Sequence, residues 1–222
     1  LFINGNDPLL WEIVDYYNRN RPTDERQISS KNSKDNKSSH KFAKIEIEDC
    51  TSAKLKQAKL VTFGTKKGCD YRGEDVRTVD RQTHFRLLKE EIVLNVLGEH
   101  NVNNALCALA VGKLYNIPLS TAKKGLENYL PIAMRGEVID KDGISIIDDT
   151  YNASPDSMKS GIKVLLSLDN ATRRIAVLAD VLELGEYSKK SHYDIGVFIS
   201  DKNIDKVVTI GKEAKYIAQG IN

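Results

Sequence analysis

Several absences narrow the reading of this chain before any motif is considered. Cysteine is scarce, with three among 222 residues. Cys50, Cys69 and Cys107 are scattered and make no C-x-x-C pair. That excludes a disulfide framework and suits a reducing compartment, so a cytoplasmic location is expected. No apolar run approaches the roughly 18 residues that a membrane span needs. Charge of one sign is also missing. The net charge of +2 makes no global case for a nucleic-acid or membrane partner. No G-x-G-x-x-G occurs, which argues against a dinucleotide site. The remaining composition, 41% hydrophobic and 29% charged, is that of an ordinary globular protein. The length suffices for one large or two small domains. Leu1-Phe2-Ile3 reads as a buried strand with nothing before it, and the chain breaks off soon after a helical pattern. The expectation is therefore a fragment of a longer protein.

The richest stretch is 143–158, G-I-S-I-I-D-D-T-Y-N-A-S-P-D-S-M. Ile144, Ile146 and Ile147 predict a short β-branched strand ending on two adjacent carboxylates, Asp148 and Asp149. A polar turn follows. Ser154 as N-cap and Pro155 at the first helical position then start a helix over about 155–168. Strand, polar turn and helix N-terminus form the ligand-binding corner of an open α/β sheet. Read blandly, the same two acids cap the helix or pair with surface lysines.

Taken in order, residues 1–3 read as a strand. Asn4-Gly5-Asn6-Asp7-Pro8 reads as a turn, and 9–18 as a helix with Leu10, Ile13, Val14 and Tyr17 at helical spacing. Asn4 and Asp7 fall at a carboxyl strand end, where nucleotides bind in such sheets. Residues 19–44 hold eight Lys or Arg against three acids around a Ser/Asn/Lys core. This composition buries little and predicts a disordered or looping insertion. Residues 59–98 read as an antiparallel meander, with strands near 60–63, 84–87 and 92–97. At Gly98-Glu99-His100-Asn101-Val102-Asn103-Asn104 the pattern turns helical, with Asn101 as a candidate N-cap. His100, Asn101 and Asn104 fall in the first turn, where backbone N–H groups favour anions. An Asn amide can both donate to and accept from an adenine edge. A second helix is expected over 120–129, capped by Ser120. The irregular link that follows contains Arg135, either a surface charge or a phosphate-binding side chain. The change of periodicity there places a domain boundary, giving domains 1–133 and 134–222. Beyond it, strands 144–147, 174–178 and 206–210 alternate with helices 155–168, 188–200 and 212–219. This predicts a parallel sheet of Rossmann type. Asp180 follows the second of these strands, and His192 lies on the next helix, near the same sheet edge.

Together, the runs Asn4-Gly5-Asn6-Asp7, Gly98 to Asn104, Arg135-Gly136, Asp148 to Met158 and Asp180-Val181-Leu182-Glu183-Leu184-Gly185-Glu186 closely resemble the Mur ligases. The resemblance implies the end of a central ATPase domain followed by the start of a C-terminal Rossmann-like domain, both incomplete. It implies an ATP-dependent amide ligase of peptidoglycan synthesis that proceeds through an acyl-phosphate. The implied small-molecule partners are ATP, a UDP-muramoyl-peptide and D-Ala-D-Ala, with Mg²⁺ as cofactor and a monomeric state. By resemblance, Asn101 and Asn104 contact the adenine, Asp149 the ribose and Arg135 the terminal phosphate. His100 lies near the phosphates and metal, and is placed with Arg135 in the catalytic set. Tyr151 borders the nucleotide, and Asn152, Asp180 and His192 face the second substrate. No residue of this chain is assigned as a metal ligand. Ser154 stands where the family has Asn, and Ala179 where it has Gly. The G-x-x-G-K-[ST] phosphate loop is absent from these 222 residues, as are the upstream metal-binding acids. The competing readings are another Mur-type ligase, of folylpolyglutamate or cyanophycin synthetase type, and a non-catalytic nucleotide-binding module.

Overall fold

The computed structural model describes residues 2–7, 10, 60–169 and 171–222. The basic segment 19–44 and nearly all of the helix expected over 9–18 lie outside these residues. The first part is a five-stranded sheet in sequence order. Strands β1 (Phe2–Asn4), β2 (Val61–Gly64) and β3 (Tyr71–Val79) run parallel to one another. β4 (Gln82–Leu87) and β5 (Glu90–Leu94) then complete an antiparallel meander with β3. The expected meander is thus confined to β3–β5, and β2 belongs to the parallel half. β3 escapes a hydrophobicity reading because Arg72, Glu74, Asp75 and Arg77 dominate it. Its turn to β4 is carried by Asp80 and Arg81, both at positive φ, the backbone that a two-residue hairpin requires.

Alternation along β4 buries Thr83, Phe85 and Leu87. Helix α1 (Glu99–Leu114) lays Val102, Ala105, Leu106 and Leu109 over Phe85, Leu87, Ile92 and Leu94. Each such buried side chain contributes about 1.5–3 kcal/mol of transfer free energy. Buried Thr83 is fully used. Its Oγ1 donates to the Val96 carbonyl at 2.7 Å and accepts the Gly98 N–H at 3.1 Å. This fixes the approach to α1. The helix begins at Glu99 with Gly98 at the N-cap position, not at Asn101 as expected. Gly98 has φ 102°, and a Cβ there would lie 2.6 Å from His100 Cε1 and 2.9 Å from Val164 Cγ2. Helix α2 (Leu119–Glu127) starts after Pro118 instead of Ser120.

The second part opens with a hairpin, β6 (Glu137–Lys141) and β7 (Ile144–Asp148), paired antiparallel. This corrects the expectation that the 144–147 strand joins a parallel sheet. Asp142 and Gly143 both take positive φ, so Asp-Gly closes a two-residue turn and returns the chain onto β6. Helix α3 (Pro155–Ser167) starts where expected. The Ser157 N–H donates to Ser154 Oγ at 3.1 Å and the Ser154 N–H to Ser157 Oγ at 2.8 Å, a reciprocal cap. The parallel arrangement survives in β8 (Ile175–Ala179) and β9 (Lys206–Ile210). Helix α4 (Ser188–Ser200) joins them, and α5 (Lys215–Ile221) follows. Ile162, Ala176, Val181, Ile195, Ile199, Ala214 and Ile217 form this part's core. α4 and α5 cross at Gly196 and Gly220, where a Cβ on Gly196 would meet the Ile217 carbonyl at 2.1 Å. Among the described residues, no helix is long and apolar enough to cross a membrane.

Candidate functional site

Three segments converge on a cavity of about 540 Å³ between the two parts. The first turn of α1 brings His100, Asn101 and Asn104. The link brings Arg135. The turn from β7 to α3 brings Asp149 and Asn152. A cavity of this size suits a small molecule. Each segment is aimed by local structure. Gly98 lets α1 start abruptly beside α3. Met134 and Gly136, both at positive φ, bracket Arg135 and turn it out of the chain path. The Tyr151 N–H donates to the Met134 carbonyl at 3.1 Å, tying the link to the β7–α3 turn. Asp148 Oδ1 accepts from the Thr150 N–H at 3.1 Å and Thr150 Oγ1 at 2.7 Å. Asp148 is therefore engaged in the turn, and its neighbour Asp149 lines the cavity, as does Asp156 from the first turn of α3.

The polar groups have distinct states. The Asn101 amide donates to the Leu97 carbonyl at 2.8 Å and meets His100 Nε2 at 3.1 Å, while its oxygen faces Asn104 Nδ2 at 3.4 Å. Among the described residues no group donates to the Asn104 side-chain oxygen, which makes it the readier group for a base edge. Burial holds the His100 imidazole below its ordinary pKa, against the opposing pull of the Asp149 charge. His100 therefore offers lone pairs and hydrogen bonds near neutral pH and no fixed positive charge. The cation of the cavity is Arg135. Its guanidinium stacks on the Tyr151 ring, 4.2 Å from the centroid, and makes no ion pair among the described residues. A stacked, unpaired guanidinium is held in place yet free to meet an anion.

A second cavity, of about 560 Å³, lies on the other side of His100. Here sequence reasoning missed Asn6. Its Oδ1 accepts from the Thr65 N–H at 2.9 Å and the Lys66 N–H at 3.1 Å. Its Nδ2 donates to Asn103 Oδ1 at 2.9 Å and Thr65 Oγ1 at 3.1 Å. One amide thus joins the carboxyl ends of β1 and β2 to the first turns of α1. Asn4, singled out from the sequence together with Asp7, accepts the Asn6 N–H on its side chain at 3.0 Å and the Asp7 N–H on its carbonyl at 3.2 Å, both within the turn.

Two residues expected at the second substrate are engaged elsewhere in this structure. Asp180 does not face the cavity. Its carboxylate accepts the Ala214 N–H at 2.7 Å, the Glu213 N–H at 2.9 Å and the Lys212 N–H at 3.0 Å. These bonds, Ala214 foremost, hold it below the usual carboxylate range and anchor the segment after β9. His192 is fully buried. Its Nε2 accepts the Val181 N–H at 2.9 Å and its Nδ1 donates to the Ser188 carbonyl at 2.7 Å. Both ring nitrogens are occupied by backbone, so its place is in the packing of α4.

Mg²⁺ is the ion that the resemblance implies, an ion commonly held by one or two carboxylates, waters and substrate phosphates. No group of three or more His, Cys, Asp or Glu side chains that could hold a metal ion occurs among them.

Comparison with known proteins fits this arrangement. The Mur ligase middle domain matches residues 27–112, and the Mur ligase, glutamate ligase domain, matches residues 134–222. A UDP-N-acetylmuramoyl-tripeptide–D-alanyl-D-alanine ligase of Bacillus subtilis is 41% identical over 162 residues, covering 72% of this chain and 35% of that protein. The same ligase of Haemophilus influenzae is 34% identical over 160 residues, covering 70% and 35%. A crystal structure of MurF from Acinetobacter baumannii superposes with a TM-score of 0.70 at 30% identity, covering 78% of this chain and 39% of that one. The chain thus spans about a third of the length of the curated relatives it matches. With α1 in the first matched segment and Arg135, Asp149 and Asn152 in the second, the chain belongs to the Mur ligase family.

Proposed function

We propose that this chain is part of an ATP-dependent amide ligase of peptidoglycan precursor synthesis, one that joins D-Ala-D-Ala to a UDP-N-acetylmuramoyl-tripeptide. The observation that carries the reading is the convergence of Asn101, Asn104, Arg135, Asp149 and Asn152 on one cavity at the joint of two segments. The names of the 41% and 34% identical relatives supply the substrates. Domain limits of 1–133 and 134–222 are part of the same proposal.

In this reading Asn104, with Asn101 behind it, hydrogen-bonds the adenine edge. Asp149 accepts from the ribose hydroxyls. Arg135 swings from Tyr151 to the terminal phosphate and offsets charge on the transferring phosphoryl group. His100, uncharged near neutral pH, stands beside the phosphates as a hydrogen-bonding group. Asn152 faces the incoming dipeptide. ATP transfers its terminal phosphoryl group to the substrate carboxylate, the amine attacks the acyl-phosphate, and phosphate leaves as the amide forms.

The 222 residues contain no G-x-x-G-K-[ST] loop, so the triphosphate lacks its usual backbone cradle. A few neutral hydrogen bonds of about 0.5–1.5 kcal/mol each barely exceed an association cost of several kcal/mol. The isolated chain should therefore bind adenosine with a Kd on the order of millimolar and show no turnover. Isothermal titration with ATP, followed by a phosphate-release assay with the muramoyl-tripeptide and D-Ala-D-Ala, tests this. In a longer chain that includes the loop, Arg135→Ala should depress kcat far more than it weakens nucleotide binding. Weakened adenosine binding with kcat unchanged would remove Arg135 from the phosphoryl step.

A further inference from the structure

Arg135 stands among opposite charges and pairs with none of them. It lines the first cavity together with two carboxylates, Asp149 and Asp156. Among the described residues neither acid forms an ion pair with it. Its guanidinium lies instead on the Tyr151 ring, 4.2 Å from the centroid. A flexible arginine beside two carboxylates ordinarily closes onto one of them, because a charged, bidentate hydrogen bond is stronger than a cation–π contact. Local structure holds it away. Burial does not account for the ring, since Tyr151 is 61% exposed and belongs to neither hydrophobic core. The backbone accounts for the pairing. Met134 and Gly136 take positive φ on either side of Arg135, a conformation uncommon for a methionine. The Tyr151 N–H donates to the Met134 carbonyl at 3.1 Å, and the Arg135 N–H donates to the Ile132 carbonyl at 3.2 Å. The stem of the arginine and the base of the ring are thus tied together by one backbone hydrogen bond. Ring and guanidinium stand opposite each other before any ligand arrives.

We propose that Tyr151 is a positioning residue that acts through Arg135: its ring parks the guanidinium and keeps Asp149 and Asp156 from neutralising it. Both kinds of charge then stay available, the carboxylate for hydroxyl groups and the guanidinium for an anion. A stacking contact suits this task. It occupies the face of the guanidinium and leaves the N–H groups at its edge free to meet phosphate oxygens. A phosphate also binds the guanidinium more strongly than the ring does, so the arginine leaves its parking place downhill. The proposal rests on the reading of Arg135 as the residue of the terminal phosphate, and adds the group that keeps it ready. The resemblance placed Tyr151 against the nucleotide itself, and the test separates the two roles.

The first arm needs no activity. NMR of the 222-residue chain follows the Arg135 side-chain protons, which the Tyr151 ring current should shift upfield. Tyr151→Phe should keep that shift. Tyr151→Leu should abolish it, and cross-peaks from Arg135 to the side-chain protons of Asp149 or Asp156 should appear, with the amide spectra of both variants showing the native fold. Unshifted Arg135 protons in the unaltered chain, or no new contact to either acid in Tyr151→Leu, would overturn the proposal. The second arm uses a longer chain that includes the phosphate loop. There Tyr151→Leu should lower kcat roughly tenfold by misplacing Arg135, while KM for ATP changes by less than about threefold. Tyr151→Phe should restore kcat. A raised KM with kcat unchanged would make Tyr151 a nucleotide contact and sink the positioning role, as would a Tyr151→Phe variant no better than Tyr151→Leu. If Arg135→Ala leaves kcat unchanged while the first arm holds, the phosphoryl reading of Arg135 falls and the parking contact stands.

Discussion

The two parts of the molecule solve the problem of burial differently. In the first, among the described residues, α1 covers a five-stranded sheet with α2 packed beside it through Leu119, Ala122 and Leu126, and Phe85, Ile92, Val102 and Leu106 are fully buried between α1 and the sheet. In the second, there are two separate two-stranded sheets among the described residues, of which β8–β9 is covered by helices on one face. Ala176, Leu178 and Val207 face the helices, while Ile175, Val177 and Ile210 on the same strands are exposed, Val177 at 61%. The β6–β7 hairpin likewise exposes Ile139, Ile144 and Ile146. Parallel strands normally read as apolar runs because both faces are covered. Both parts have a side-chain core, but that of the second is drawn mostly from helices and the loops beside them, with α4 and α5 in close backbone approach at Gly196 and Gly220. Their weak points should differ accordingly.

The largest effect should come from Phe85→Ala, which removes a fully buried ring and should cost about 3–5 kcal/mol. Val177→Ser on the exposed face of β8 should stay within about 0.5 kcal/mol. Urea unfolding followed by probes in each part measures both. Equal losses would erase the contrast. Next comes Gly196→Ala. A Cβ there meets the Ile217 carbonyl at 2.1 Å, so α5 must shift, at a cost of about 1–3 kcal/mol. Hydrogen exchange should show faster opening of α4 and α5, with α1 unchanged. Faster exchange in α1 as well would mean that the two parts open as one. Slightly smaller is His192→Ala, which leaves the buried Val181 N–H without its acceptor at about 1–3 kcal/mol. Adenosine binding should be unaffected. A lost binding signal in a folded variant would return His192 to the site.

The smallest effect is a pH dependence. Burial lowers the His100 pKa below its ordinary 6.5. The unfolded chain then binds more protons than the folded one once the pH falls below about 6.5. Stability contributed by His100 is therefore complete above that pH and declines as pH drops. His100→Gln should flatten the decline in a thermal-unfolding series between about pH 7 and 5. A decline of the same size in the variant would assign it elsewhere.

How much of this was legible depends on whether the deciding partner lies nearby in sequence. The start of α3 could be read because Ser154, Pro155 and Ser157 settle it among themselves. The candidate residues Asn101, Asn104, Arg135 and Asp149 came from motifs that fall in one order along the chain, and the structure brings them to one cavity. The β6–β7 hairpin was legible in principle, since Asp142-Gly143 is a strong two-residue turn signal, but the apolar run after it drew the eye to a parallel strand. The β3–β4 turn was not legible, because Asp80-Arg81 carries no glycine to announce it. Asn6 was beyond reach for another reason. Asparagine in a turn is commonplace, and its role depends on Thr65 and Asn103, far along the chain. His192 shows the converse. Sequence put it at the right edge, and only the Val181 N–H and the Ser188 carbonyl reveal that it faces inward.

Gly98 acts as a spacer of zero thickness between the two parts. It lies at the wall of the second cavity, two residues before the His100 that both cavities share, with Val164 of α3 pressed against it. The width of both cavities is therefore gauged by one missing methyl group. A side chain at this position could not widen one cavity alone. It would push α3 away from α1 and open both together. The joint can thus be retuned only as a whole, and a roomier second cavity obtained at position 98 comes with a looser first one.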